Sequence, residues 1–137
     1  MYKRQVIGPV QSVIPSLLKI ISADRPIAFI GFDLDYYSST MDAFVLFEGH
    51  ESLFVPRVWC YFDDLPNILP FAGEHQAISD FNRKSADRKL GKPGMLIQLL
   101  PFHPSWAEQM YQLHIFKHEK YNSIINSGDQ LPLSGNL

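Results

Sequence analysis

The sequence predicts an α/β fold built on a pair of parallel strands, and three observations carry that expectation. Ile27–Phe32 (IAFIGF) is an unbroken run of apolar residues and glycine, the pattern of a strand buried on both faces of a parallel sheet. It leads into Asp33 and Asp35, at the strand tip where open α/β sheets bind ligands. A second run rich in aromatic and β-branched residues, Arg57–Phe62 (RVWCYF), ends in Asp63 and Asp64. About 30 residues separate Asp33 from Asp63, room for one helical crossover. A right-handed crossover brings two parallel strand tips side by side.

Composition narrows the class. A chain of 137 residues has room for one domain with a real core. Hydrophobic content of 46% against 19% charged residues indicates a folded, soluble protein. A net charge of −2 gives no electrostatic case for nucleic acid or an anionic membrane. The single cysteine, Cys60, excludes an internal disulfide framework and a multi-thiolate zinc site. It lies in an apolar run, where a thiol is buried and inert. No run reaches the roughly 18 apolar residues of a membrane helix, and Gly8, Pro9 and Pro15 interrupt any signal-peptide core. The cytoplasm is the expected compartment.

In chain order, residues 1–5 (MYKRQ) read as the translation of a sequencing-library adaptor, GTG-TAT-AAG-AGA-CAG, joined to a metagenomic open reading frame. An in-frame stop just before the first codon would rule that out. Val6-Ile7 then reads as the stump of a strand. Val10–Ser22 has apolar residues at helical spacing, with Pro15 either starting or kinking the helix. The strand Ile27–Phe32 follows, and Ser38, Ser39 and Thr40 are N-cap candidates for a helix over Met41–Glu48. Gly49–Pro56 is expected as a loop before Arg57–Phe62. Leu65–Ala72 carries Pro66 and Pro70 and is expected as a loop over the sheet edge. Gly73–Lys84 is predicted helical, with Ala77, Ile78 and Phe81 on one face. Ser85–Gly94 reads as a basic loop, Met95–Leu100 as a short strand, Pro101–Trp106 as a turn and Gln109–Lys117 as a strand. Residues 121–137 are polar and bear Gly, Pro and Asn, the composition of a flexible tail.

The four aspartates suit a hard cation, because Mg²⁺ takes oxygen ligands and keeps several waters. The competing reading is that acids at strand ends cap the following helices and stay solvated; two acid pairs, each after a strand, favour a site. A Mg²⁺ phosphohydrolase of the haloacid-dehalogenase type uses a similar D-x-D, with the first Asp as nucleophile. It also needs a lysine motif and another βα unit between the two acid pairs. His75 at a helix start is a substrate-side candidate, although a surface position is the simpler reading. His114, Trp59 and Phe62 read as packed strand residues. Arg83, Lys84, Arg88, Lys89 and Lys92 read as a solvated basic face.

FDLDYYSSTMDAF (Phe32–Phe44) resembles the D-x-D-x-Y-x-S-T-x-x-A-L segment of the macrocin-type, metal-dependent O-methyltransferases, which are class I S-adenosylmethionine enzymes. Asp33, Asp35, Tyr37, Ser39, Thr40 and Ala43 fall on that pattern, with Phe44 in place of Leu. The family's D-D-Y is similar to Asp63-Asp64-Leu65, without the Tyr, and its A-x-x-x-F helix is similar to Ala77–Phe81. The family's G-x-x-x-x-T-x-P is matched in part by Gly8–Pro15, with Val13 at the Thr position. The usual G-G before the second strand is absent.

The resemblance covers roughly residues 6–85 and implies a Rossmann-like three-layer methyltransferase sheet. This chain would form its C-terminal half: two parallel strands, the fourth and fifth of the set, then an antiparallel hairpin. Residues 6–120 would be that part of a single domain. The resemblance assigns Asp33, Asp63 and Asp64 to a divalent metal such as Mg²⁺ and Asp35 to the general base. It places Tyr37 on the substrate side. The implied reaction is methyl transfer from S-adenosylmethionine to a small-molecule or sugar hydroxyl. No Gly-rich G-x-G-x-G turn occurs in the sequence, so the cofactor site would lie mostly in a missing N-terminal half. The fragment itself would then be inactive and would self-associate, as a homo-oligomer or otherwise, through its truncated edge. The alternatives left open are the phosphohydrolase and a non-catalytic methyltransferase-like domain.

Overall fold

The computed structural model describes residues 5–65, 71–94, 99–102 and 104–123. Its elements are α1 (Val10–Leu18), β1 (Ile27–Phe32), α2 (Tyr37–Ala43), β2 (Phe54–Phe62), α3 (Gly73–Lys84), β3 (Arg88–Gly91) and β4 (Met110–Ile115). The four strands form one mixed sheet in the order β1-β2-β4-β3. β1 and β2 run parallel, while β4 is antiparallel to both β2 and β3. The chain is thus α/β with a parallel pair extended by an antiparallel one.

Strand alternation divides the sheet into two faces. Phe32, Val58, Cys60, Phe62, Leu90, Leu113 and Ile115 are buried on one face. Against them pack Ile14 of α1, Phe44 and Phe47 of the 3₁₀ turn after α2, and Ala77 and Ile78 of α3. Phe32 and Phe62, in register on adjacent strands, stack at 4.6 Å between centroids. Phe44 meets Phe32 edge-on at 5.5 Å, and Phe81 closes the cluster against Phe44 at 5.4 Å. The opposite face carries Phe29, Trp59, Tyr61 and His114, none of them buried. The described helices therefore cover one side of the sheet, giving two layers where three were expected.

β1 has its predicted bounds but not its predicted environment. It is the outer strand of the sheet, and Ala28, Phe29 and Gly31 are exposed. Its apolar run does not mark a strand buried on both faces. β2 begins three residues earlier than expected, at Phe54. The parallel ladder shifts register between Ile27/Phe54 and Phe29/Trp59. Pro56, which has no N–H to donate, falls inside that irregularity.

Other boundaries move for identifiable reasons. α1 stops at Leu18 with Pro15 inside it. α2 starts at Tyr37, so Ser38, Ser39 and Thr40 lie within the helix and none is its N-cap. Instead Ser39 Oγ and Thr40 Oγ1 donate back to the Tyr36 carbonyl, each at 3.0 Å. The helix expected to reach Glu48 becomes a 3₁₀ turn over Phe44–Glu48. α3 matches its expected span. β3 forms where a basic loop was expected, because Leu90 is buried and the Asn82 amide clamps it. Asn82 Oδ1 accepts the Leu90 N–H and Nδ2 donates to the Leu90 carbonyl, both at 2.8 Å.

The expected strand Met95–Leu100 falls mostly outside the described residues, with Leu99 and Leu100 in a turn. So do residues 1–4 of the adaptor-like start, residues 66–70 of the expected loop and residues 124–137 of the expected tail. Tyr121, placed in that tail, is docked on the open face. The Arg57 guanidinium lies 4.0 Å over its ring, and its hydroxyl is 2.8 Å from His114 Nδ1. No helix among the described residues is long and apolar enough to cross a membrane.

Candidate functional site

The site follows from where β1 and β2 end. Their ladder continues one step past the strands, the Asp63 N–H donating to the Phe32 carbonyl at 3.1 Å. Both acid pairs therefore leave the sheet at the same edge. Beyond it, Asp33, Asp35 and Asp64 converge, each offering one carboxylate oxygen within 4.8 Å of the others. Asp33 and Asp35 are exposed and Asp64 is half-buried.

The fourth aspartate, Asp63, stands beside this trio and has its own partner. Asp63 continues the alternation of β2 and shares the open face with Tyr61, whose hydroxyl donates to Asp63 Oδ1 at 2.9 Å. This bond is the main reason the Tyr61 phenol is pushed above its usual range. The Asp63 carbonyl accepts from Gln109 Nε2 at 2.7 Å. Asp63 and Asp64 lie in the turn that follows β2; Asp63 is held by Tyr61, while Asp64 joins the trio.

Electrostatics within the trio are unfavourable. Burial raises the Asp64 carboxyl above the ordinary range. The charge of Asp35, a hydrogen bond shared with it, and the charges of Asp63 and Asp33 add to that rise. Asp64 Oδ2 is buried with no hydrogen-bonding partner. Like charges gathered in this way disfavour ionisation of the group that is most desolvated.

A fifth acid, unmarked by the sequence analysis, stands behind the trio. Glu74, in the first turn of α3, is 2% exposed, and its Oε2 accepts the Asp64 N–H at 3.2 Å. Burial is the largest cause raising its carboxyl to about 7, opposed by the backbone amides of Asp64 and Leu34. Gly73, at φ +51°, brings the helix start against the Asp35 carbonyl; a Cβ there would sit 3.3 Å from that oxygen. An acid in the first turn is an ordinary helix-start signal, and nothing in the sequence marks this one as buried.

The two substrate-side candidates occupy different places. Tyr37 donates to Asp80 Oδ2 at 2.8 Å, bridging α2 and α3. The His75 ring lies 3.2 Å from the Leu65 carbonyl, beside the turn that carries Asp64. Thr40 Oγ1 also reaches the Leu34 carbonyl at 3.3 Å and helps fix the loop bearing Asp35. No protein-family model, curated protein or solved structure matches the chain.

Proposed function

We propose that the acidic tips of β1 and β2 are the cation- and hydroxyl-handling part of a divalent-metal-dependent O-methyltransferase. Its reaction would carry the methyl group of S-adenosylmethionine to a small-molecule or sugar hydroxyl. The observation that carries this reading is the convergence of Asp33, Asp35 and Asp64 within 4.8 Å from two parallel strands. Two parallel strands continued by an antiparallel pair also agree with the sheet that the sequence resemblance implies.

The residues fit a hard cation. All three donors are carboxylate oxygens, and the unpartnered, buried Asp64 Oδ2 lacks a counter-charge. In the proposal Asp33 and Asp64 hold the ion. Asp63, the third ligand implied by the resemblance, accepts the Tyr61 hydroxyl through Oδ1 and keeps Oδ2 for the ion. A divalent cation here supplies the charge that makes a substrate hydroxyl more acidic. Asp35, exposed at the mouth of the cluster, takes the hydroxyl proton as general base. The sequence contains no glycine-rich turn to cradle adenosylmethionine, and the proposal puts that site outside these residues. This chain alone is then expected to transfer no methyl group.

Mn²⁺ binding followed by electron paramagnetic resonance, with Mg²⁺ as competitor, tests the reading. Wild type should bind one ion, and Asp64→Asn and Asp33→Asn should lose it while remaining folded by circular dichroism. Retention of full Mn²⁺ affinity by Asp64→Asn would overturn the proposal and leave the aspartates as solvated strand-end acids.

A further inference from the structure

We propose that Glu74 is a positioning residue of this acidic site, holding the Asp64 loop in ion-binding register by accepting its backbone N–H. The inference rests on the cation reading of the same cluster and assigns a role to a residue that the resemblance leaves without one. Glu74 is the only acidic side chain among the fully buried ones in the described residues. A carboxylate in that position needs a reason, because burying a charge without full pairing is costly. Its Oε2 meets the Asp64 N–H, the Leu34 amide of the β1 loop also favours its charged form, and Oε1 is buried with no partner at hydrogen-bonding distance.

The neighbouring residue supports the same role. Gly73 adopts a left-handed φ of +51° and packs against the Asp35 carbonyl. The first turn of α3 thus touches both acid-bearing loops, Gly73 at the β1 tip and Glu74 at the β2 tip. Ala72, the N-cap, makes no side-chain capping bond, so Glu74 is not half of a capping box. Its carboxylate is spent on another loop. Groups that orient a metal ligand from behind commonly alter metal affinity about 10–100-fold when removed.

The test uses the full chain with Mn²⁺ as the probe and compares three variants. Glu74→Gln keeps an oxygen able to accept the Asp64 N–H and should hold Mn²⁺ affinity well inside the loss of about 10-fold that removing such a group causes. Glu74→Ala removes the acceptor, and Glu74→Asp keeps the charge but shortens the reach. Both should weaken Mn²⁺ about 10–100-fold, with circular dichroism confirming a folded protein. If the alanine variant does not fold, the Gln and Asp variants alone decide, because charge and reach predict opposite orders. Weakening by Gln with retention by Asp would make Glu74 a direct ligand and overturn the positioning role. Unchanged affinity in all three would leave Glu74 a purely structural acid. Failure of the wild type to bind Mn²⁺ would instead sink the cation reading, and this inference with it.

Discussion

The Tyr37 hydroxyl donates to Asp80 across 2.8 Å, joining α2 to α3. The bond raises the phenol and lowers the carboxylate relative to their usual ranges. Gln76 and Arg83 donate to the other oxygen of Asp80 at 2.9 and 2.7 Å. Tyr37 thus has a structural partner of its own. Tyr37→Phe should lower stability through loss of this bond, and leave Mn²⁺ affinity unchanged. Urea denaturation measures the first and the ion titration the second. A large loss of Mn²⁺ binding without loss of stability would return Tyr37 to the acidic site.

The stack of Phe32 on Phe62 welds the two acid-bearing strands together just below their tips. Phe62 is fully buried and also meets Phe44 at 6.1 Å and Tyr111 at 5.6 Å. Phe62→Ala should destabilise the protein by about 3–5 kcal/mol, through lost transfer energy and the cavity left behind. A chemical melt showing a loss under about 1 kcal/mol would mean that the site collapses around the gap with unusual ease.

These residues also show what a sequence can disclose about such a site. Ile27–Phe32 and Gly73–Lys84 were legible to the residue, the first as an unbroken apolar run between Pro26 and Asp33, the second by its helical period. The convergence of the Asp33 and Asp64 loops was legible as well, as two acid pairs after two strands. The Tyr61–Asp63 bond had a signal in the sequence, since residues 61 and 63 share a face when β2 alternates. β3 was not legible, because a four-residue basic segment becomes a strand only through contacts with Asn82 and Leu113. The exposure of β1 was hidden for a related reason. An apolar run reports what a strand is able to bury, and its neighbours decide what it does bury.

Cys60 is fully buried on β2, and burial pushes its thiol up to about 12. Only the thiolate reacts, so the native protein should resist an aromatic disulfide reagent at pH 8. Full reaction should follow on addition of denaturant. Labelling of native protein at the rate of a free thiol would show that the central strand opens readily.

His114 supplies a pH dependence. It sits in register between Arg57 and Lys89 on the open face, contacts Tyr121 through Nδ1 and stacks on Phe116. Burial first, and then the Arg57 charge, hold its imidazole below the ordinary value of 6.5. The unfolded chain therefore takes up the proton first as the pH falls. Stability is complete above about pH 6.5 and declines as the pH drops towards the folded value. Melting wild type and His114→Gln between pH 7.5 and 5 isolates this contribution from the carboxylates. The variant should lose less stability over that range; equal losses would remove His114 as the cause.

The two outer strands of the sheet are treated very differently. β3 has its backbone bonded by Asn82 on the side away from β4. β1 has no such cover among the described residues, and its six residues include no charge and no proline. Phe29 is 59% exposed on the open face, and an apolar groove of about 360 Å³ runs beside the strand, between it and α1. An uncharged, proline-free edge is a template for pairing with another strand. The protein is expected to self-associate with rising concentration, by edge pairing of β1. Phe29→Lys places a charge on that strand without touching the buried face, and should shift the population towards monomer in sedimentation velocity. A wild type that stays monomeric across the accessible concentration range would show that the β1 edge is protected after all.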